Sequence, residues 1–376
     1  MDELHRSLTA LVDGGKVPGL VAAVAGADGP VRVEVLGAAA FGAGAAPMRR
    51  DTPFRLTSVT KPMVAAVAMM LVEDGLLALD EPVDRLLPEL AGPRVLRRLD
   101  AEVDDTVPAH RAITVEDVLT YRMGHGVLLD PAADPPFNPP YPVVRAAEAL
   151  RLTLARPDPR TPHGVDEWMR RFGTLPLLFQ PGERWAYNSS GHVLGVLVAR
   201  AAGAPLGEVM RQRLFDPLGM TSTGFSTTPR RAAQLPAQYL GGERQTDVAT
   251  AEDWSREPAF PDGAAGLVST VDDVVAFGRF MLHGGQSLLP VRAVRAMTTD
   301  RLTPAQVEGG GMLLGGHGWG YGMTVQADGT YGWDGGYGTS WRNSPSQGTV
   351  RVLLTQVSDV LFDGTVQEFN RVAVHR

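Results

Sequence analysis

There is no cysteine among the 376 residues. Disulfides, thiolate zinc sites, iron–sulfur clusters and a cysteine nucleophile are therefore excluded. No stretch of ~18 consecutive apolar residues is present, so no segment reads as a membrane span. The N-terminus, Met1-Asp2-Glu3-Leu4-His5-Arg6, is acidic and leads into a helical pattern of Leu4, Leu8, Leu11 and Val12. A secretory signal needs a basic start and an apolar run, so a cytoplasmic protein is expected. Positive charge is in deficit, 35 Lys+Arg against 42 Asp+Glu, for a net charge of −7. That balance argues against nucleic acid or an anionic membrane as partner, because both demand a basic face. The Gly-x-Ser-x-Gly elbow of α/β-hydrolases occurs at no serine. The eight histidines show no His-Glu-x-x-His pattern, and neither a metal nor a cofactor is expected.

What is present is ordinary globular composition, 44% hydrophobic and 20% charged, long enough for two domains or one large one. Gly19 to Ala25 is apolar, Asp28-Gly29 reads as a turn, and Val31, Val33 and Val35 alternate with Arg32 and Glu34. This predicts a hairpin whose second strand has one wet face. Pro62 to Val72 is apolar on every side and predicts a helix buried all round. Helices are predicted near Val115–Leu119, Val144–Leu154 and Val165–Phe172. Pro-rich loops at Asp130–Pro142 and Arg156–Pro162 separate them. Strand patterns return at Tyr321–Val325, Thr330–Trp333, Thr339–Arg342 and Thr349–Gln356, followed by a helix near Val366–Val374. The glycines at 309–311, 315, 316, 318, 320 and 322 read as a flexible loop before a strand. Strands at both ends with helices between them imply one sheet built from both termini and a helical insertion.

Three segments carry candidate chemistry. In Thr57-Ser58-Val59-Thr60-Lys61-Pro62, Ser58 and Lys61 share one face of a helical first turn. A serine hydroxyl becomes a nucleophile when a base takes its proton. Lysine can be that base if burial at a helix N-terminus destabilises its ammonium. The same spacing also fits a capping serine beside a solvated lysine, but a lysine opening an entirely apolar helix is badly placed to reach water. In Trp185-Ala186-Tyr187-Asn188-Ser189-Ser190-Gly191-His192, Tyr187 could share a proton with Ser58 and Lys61, or be an ordinary core tyrosine. In Tyr331-Gly332-Trp333-Asp334-Gly335-Gly336-Tyr337, dense glycine lets a substrate or another backbone come close, or simply makes a tight turn.

Together these segments resemble the serine β-lactamase and penicillin-recognising superfamily, closest to the family VIII carboxylesterases. The resemblance runs from about Pro53 to Gln356. It includes Glu73-Asp74-Gly75-Leu76, Asp80-Glu81-Pro82-Val83, Thr114-Val115-Glu116-Asp117, Asp216-Pro217-Leu218-Gly219-Met220 and Gly266-Leu267-Val268-Ser269-Thr270 in order. It implies an α+β fold: an antiparallel sheet flanked by helices from both termini, residues 1–78 and 193–376, with a mainly helical domain inserted at 79–192. It also implies Ser58 as acylated nucleophile, Lys61 and Tyr187 in proton transfer, and an oxyanion hole made by the backbone N–H groups of Ser58 and Gly336. Ser189, Trp333, Asp334, Gly335 and His125 would contact substrate. Which of Lys61 and Tyr187 acts as base is left open.

Two departures bear on the subclass. Trp333 stands where β-lactamases and peptidoglycan enzymes usually carry lysine, and an indole cannot hold a substrate carboxylate electrostatically. Ser189 stands where they carry asparagine. Both changes favour a neutral ester. The expectation is a serine carboxylesterase acting on a small-molecule ester without cofactor, its oligomeric state undetermined. The alternatives are a β-lactamase, D-amino-acid peptidase, amidase or acyltransferase using the same acyl-enzyme, or a catalytically idle binding relative.

Overall fold

The computed structural model describes residues 2–128, 134, 137–246 and 248–373. The sheet is assembled from both ends of the chain. Strands β1 (Gly19–Gly26) and β2 (Val31–Gly37) form the N-terminal hairpin. The C-terminal meander supplies β3 (Gly318–Trp319), β4 (Thr324–Val325), β5 (Tyr331–Gly335), β6 (Thr339–Ser344) and β7 (Thr349–Leu354). Their order is β2-β1-β7-β6-β5-β4-β3, and every neighbouring pair is antiparallel. The join is β1 on β7, with Val21 opposite Leu354 and Gly26 opposite Thr349.

Side-chain alternation along β1 divides the core. Val21, Ala23 and Ala25 face the large apolar cluster that contains helix α2 (Thr60–Glu73) and Phe277 and Phe280 of a later helix, Val271–Leu282. Leu20, Ala22 and Val24 face a second cluster built with the N-terminal helix α1 (Glu3–Asp13) and the C-terminal helix, Thr365–Val372. The expected wet face of β2 is not there: Val31 to Leu36 are all partly covered. Arg32 pairs with Asp2, and Glu34 with Arg32 and with His5 at the start of α1, so that helix shields the polar side of the strand.

The predicted helices α3 (Val115–Leu119) and, further on, Val165–Phe172 form with those bounds. The one expected at Val144–Leu154 is shifted: α4 spans Pro142–Ala149, with proline in its first turn. It stops before Arg151 and Thr153, both in the left-handed region. Helix α5 is Val165–Phe172, α6 runs from Ser189 to Ala202, α7 is Val271–Leu282 and α8 is Thr365–Val372. The glycine-rich segment is not the expected flexible loop. Pro304–Gly309 and Gly311–Leu314 are short helices. The first is started by a capping box between Thr303 and Gln306, and Gln306 Nε2 donates to the carbonyls of Gly182 and Glu183.

Among the described residues no single helix is long and apolar enough to cross a membrane.

Candidate active site

The site begins with a strained turn. Thr57 to Val59 form one 3-10 turn that runs directly into α2. Thr57 sits in the left-handed region, at φ 47°, a conformation that costs a non-glycine residue on the order of 1–3 kcal/mol. Hydrogen bonds around Leu56 hold it there. The Leu56 N–H donates to Leu267 O at 2.8 Å, and its carbonyl accepts from the hydroxyls of Thr57 and Thr339, at 2.8 and 2.7 Å. The turn presents Ser58 to a cleft of about 680 Å³.

Lys61 follows one turn later in a helix whose residues from Thr60 to Leu71 are all buried. With no polar face on its own helix, Lys61 is 1% exposed. Its Nζ lies 2.9 Å from Ser58 Oγ, 2.8 Å from Asn188 Oδ1 and 2.8 Å from Ala264 O. Burial pulls its pKa down to about 7, opposed by the charge of Asp262. An ammonium there donates to all three oxygens. A neutral amine donates to Asn188 and Ala264 and keeps its lone pair for the Ser58 hydroxyl.

Tyr187 completes the group. Its Oη donates to Ser58 Oγ at 2.7 Å and accepts the indole N–H of Trp333 at 2.9 Å. Burial raises its pKa to about 12, opposed by those two hydrogen bonds. Near neutral pH the phenol therefore keeps its proton. Once Lys61 is neutral, the hydrogen bonds can run one way, from Trp333 to Tyr187 to Ser58 to Lys61; the ammonium instead donates to Ser58 Oγ. Tyr187 is stacked on Trp185 and Tyr121, and Trp333 meets Trp319 edge-on, so an aromatic cluster fixes the phenol.

The remaining expected residues divide. Gly336 follows β5 and lines the cleft with Ser58, Trp333 and Asp334. Gly335 does not line it. A Cβ at 335 would stand 2.1 Å from Leu56 O and 2.3 Å from Thr57 Oγ1; the glycine admits another backbone, the Ser58 turn, rather than a substrate. His125 and Ser189 are hydrogen-bonded to each other at 3.0 Å and line a neighbouring cavity of about 560 Å³. They therefore lie outside the cleft in which Ser58 is presented, against the expectation of direct substrate contact there. His125 is buried, not a surface-loop residue, and burial lowers its pKa to about 4. The two cavities share Ala155, Arg156, Pro157 and Tyr337 as walls. Asn138, from the Pro-rich stretch Asp130–Pro142, lines the second cavity. Residues 130–133, 135 and 136 of that stretch lie outside the described residues.

Sequence reasoning missed Asn188, Ala264 and Asp262. Asn188 adopts φ 81° and ψ −59° just ahead of α6. That turn brings the middle residue of Tyr-Asn-Ser onto Lys61, while Ser189 goes to His125. Asp262 Oδ1 accepts the Ala264 N–H at 2.7 Å, which orients the Ala264 carbonyl toward Lys61.

A serine whose oxygen touches a buried lysine and a tyrosine, at the mouth of a helix flanked by an antiparallel sheet, invites comparison with known families. The model for the family described as Beta-lactamase matches residues 4–375. The chain belongs to the beta-lactamase family. Among curated proteins this beta-lactamase-family hydrolase is 34% identical to Protein Rv1367c of Mycobacterium tuberculosis, over 95% of this chain and 90% of that one. It is 33% identical to Esterase EstB of Burkholderia gladioli, over 83% and 79% of the two chains. Among solved structures it superposes on EstCE1, described as a hydrolase with promiscuous acyltransferase activity. The TM-score is 0.82 at 24% identity, covering 99% of this chain and 97% of that one; this likeness speaks to the fold.

Proposed function

We propose that this protein is a serine carboxylesterase that cleaves neutral small-molecule esters through an acyl-enzyme on Ser58. The observation that carries the reading is Ser58 Oγ held between Lys61 Nζ at 2.9 Å and Tyr187 Oη at 2.7 Å, with the lysine driven toward its neutral form. Lys61 takes the Ser58 proton as Oγ adds to the ester carbonyl. The N–H groups of Ser58 and Gly336 receive the developing oxyanion. As the tetrahedral species collapses, Tyr187 gives its proton to the leaving alkoxide and regains one from Lys61. The alcohol departs and the acyl group stays on Ser58. Water then attacks the acyl carbonyl, losing a proton to Lys61; the acyl–Oγ bond breaks, Lys61 returns that proton to Ser58 Oγ, and the acid is released.

Substrate choice follows from the cleft walls. Trp333 offers no cation, and the cleft is bordered by Leu240, Met312 and Phe362, which are 39%, 64% and 70% exposed. Large apolar side chains left in water at a cleft mouth suit an apolar ester. EstB, an esterase by name, is a relative that agrees with this reading. Acyl transfer to an alcohol other than water is the second reading. The same apolar border favours it, since an apolar alcohol held there competes with water for the acyl-enzyme.

The test is intact-mass spectrometry after mixing with a fluorophosphonate, with p-nitrophenyl butyrate turnover followed in parallel. One adduct on Ser58 with ester hydrolysis, both lost in Ser58→Ala, is the expected result. No adduct and no turnover would overturn the esterase in favour of an idle relative. Turnover of a chromogenic cephalosporin at a comparable rate would favour a β-lactamase.

A further inference from the structure

Among the described residues, three charged side chains line the Ser58 cleft: Arg156, Asp334 and Arg342. Arg156 is exposed, where its attraction for an anion is weak and screened by salt. Arg342 is 8% exposed and already occupied. Its guanidinium donates to Asp334 Oδ2 at 2.7 Å and to Trp341 O at 2.9 Å. The sheet register produces the pair. Asp334 of β5 lies opposite Ser340 of β6 and Gly332 lies opposite Arg342, so the two charged residues are diagonal neighbours on one face, with no side chain at 332 between them. The second carboxylate oxygen, Asp334 Oδ1, is buried without a hydrogen-bond partner.

We propose that Asp334 is a specificity residue: by occupying Arg342 it makes the cleft select neutral esters over esters that carry a carboxylate. This rests on the esterase reading of the same cleft and adds the charge of its substrate. A free guanidinium in a partly dry cleft would take a carboxylate with two parallel hydrogen bonds. Here both arms are engaged within the chain. An entering carboxylate would have to displace Asp334 while meeting the unpartnered Oδ1 of the same residue, a like charge at short range. Its desolvation would go uncompensated. A neutral ester meets a pair of zero net charge and pays neither cost. Trp333 is uncharged, burial and Arg342 lower the pKa of His317 against the opposing pull of Asp328 and Asp334, and Arg156 is exposed, so its attraction is screened.

The test uses matched esters that differ only in one carboxylate. On the alcohol side these are 4-acetoxybenzoate and its methyl ester; on the acyl side, p-nitrophenyl hydrogen succinate and p-nitrophenyl methyl succinate. The kcat/KM ratio of anionic to neutral member is measured for the full chain, Asp334→Asn, Arg342→Gln and the double variant. The wild type is expected to favour the neutral member of at least one pair by roughly 10-fold or more. Asp334→Asn should raise the anionic-to-neutral ratio by roughly 10-fold or more, the worth of one charge-assisted hydrogen bond. The double variant should lose that gain. Arg342→Gln alone leaves an uncompensated carboxylate and should lower the ratio, which keeps the proposal testable should Asp334→Asn fail to fold. Ester turnover with a ratio unmoved by these substitutions would overturn this proposal alone. Absence of turnover for all four esters would overturn the esterase reading and this proposal with it.

Discussion

At the scale of single residues the site turns on one amine. Only two lysines occur in the chain, Lys16 and Lys61, the rest of the Lys+Arg total being arginine. Arginine cannot be deprotonated in a protein, whereas a buried lysine can. In the proposed mechanism the neutral amine is the base, and it forms above the lysine pKa. With that pKa lowered to about 7, kcat/KM should rise with pH through about 7 and fall off below it. Asp262 opposes the lowering, so Asp262→Asn, which keeps an oxygen for the Ala264 N–H, should move this acid limb to lower pH. A pH–rate profile checks both, and a limb that stays in place in Asp262→Asn would leave Asp262 a purely structural part. Burial puts the Tyr187 pKa far higher, at about 12, and in the proposed mechanism Tyr187 is a proton carrier. Tyr187→Phe should therefore lower kcat by roughly 10²–10⁴-fold without changing the acid limb; an unchanged kcat would leave Tyr187 as packing only.

Elements place these residues, and they differ in how plainly the sequence shows them. The helix after Lys61 is legible because an unbroken apolar run admits one environment, a buried one. The β1–β2 hairpin is legible because its turn and alternation agree. The position of the Ser58 turn against β5 is not legible, since it depends on a contact between segments nearly three hundred residues apart. Glycine at 335 is equally compatible with a turn, a substrate or a second backbone, and the fold selects the last. That Asn188 meets Lys61 while Ser189 meets His125 is not legible either, because a positive-φ residue ahead of α6 turns the two side chains apart, and the local sequence carries no periodic signal of that turn. The capping box at Thr303 was present, but the glycines beyond it obscured the short helices. Gly335→Ala tests the contact directly. Its Cβ would overlap Leu56 O at 2.1 Å, so the Ser58 turn must move away from β5. Because misplacement by about 1 Å can cost about 10²-fold in rate, kcat/KM should fall at least that far. Circular dichroism should show the secondary structure retained. Wild-type kinetics in Gly335→Ala would mean that the turn tolerates displacement.

On the scale of the whole molecule, the two chain ends meet on one face of the sheet and only one of them also builds the cleft. Leu8 of α1 and Phe369 of α8 are buried in the same cluster with Leu20, Ala22 and Leu353. Val366, Gln367 and Asn370 of α8 line the Ser58 cleft, while no residue of α1 does. Core packing and the cleft wall are thus joined in α8 and separate in α1. Leu8→Ala should destabilise the fold by about 2–5 kcal/mol and Phe369→Ala by about 3–5 kcal/mol, the cost of emptied core volume. Thermal melts of the two variants should accordingly fall by similar amounts. Their kinetics should diverge: below its melting range Leu8→Ala should keep the wild-type KM for p-nitrophenyl butyrate. Phe369→Ala lets α8 settle toward the void and draws a cleft wall with it, so its KM should rise. Equal KM values in two variants of matched stability would show that the α8 wall does not touch the substrate.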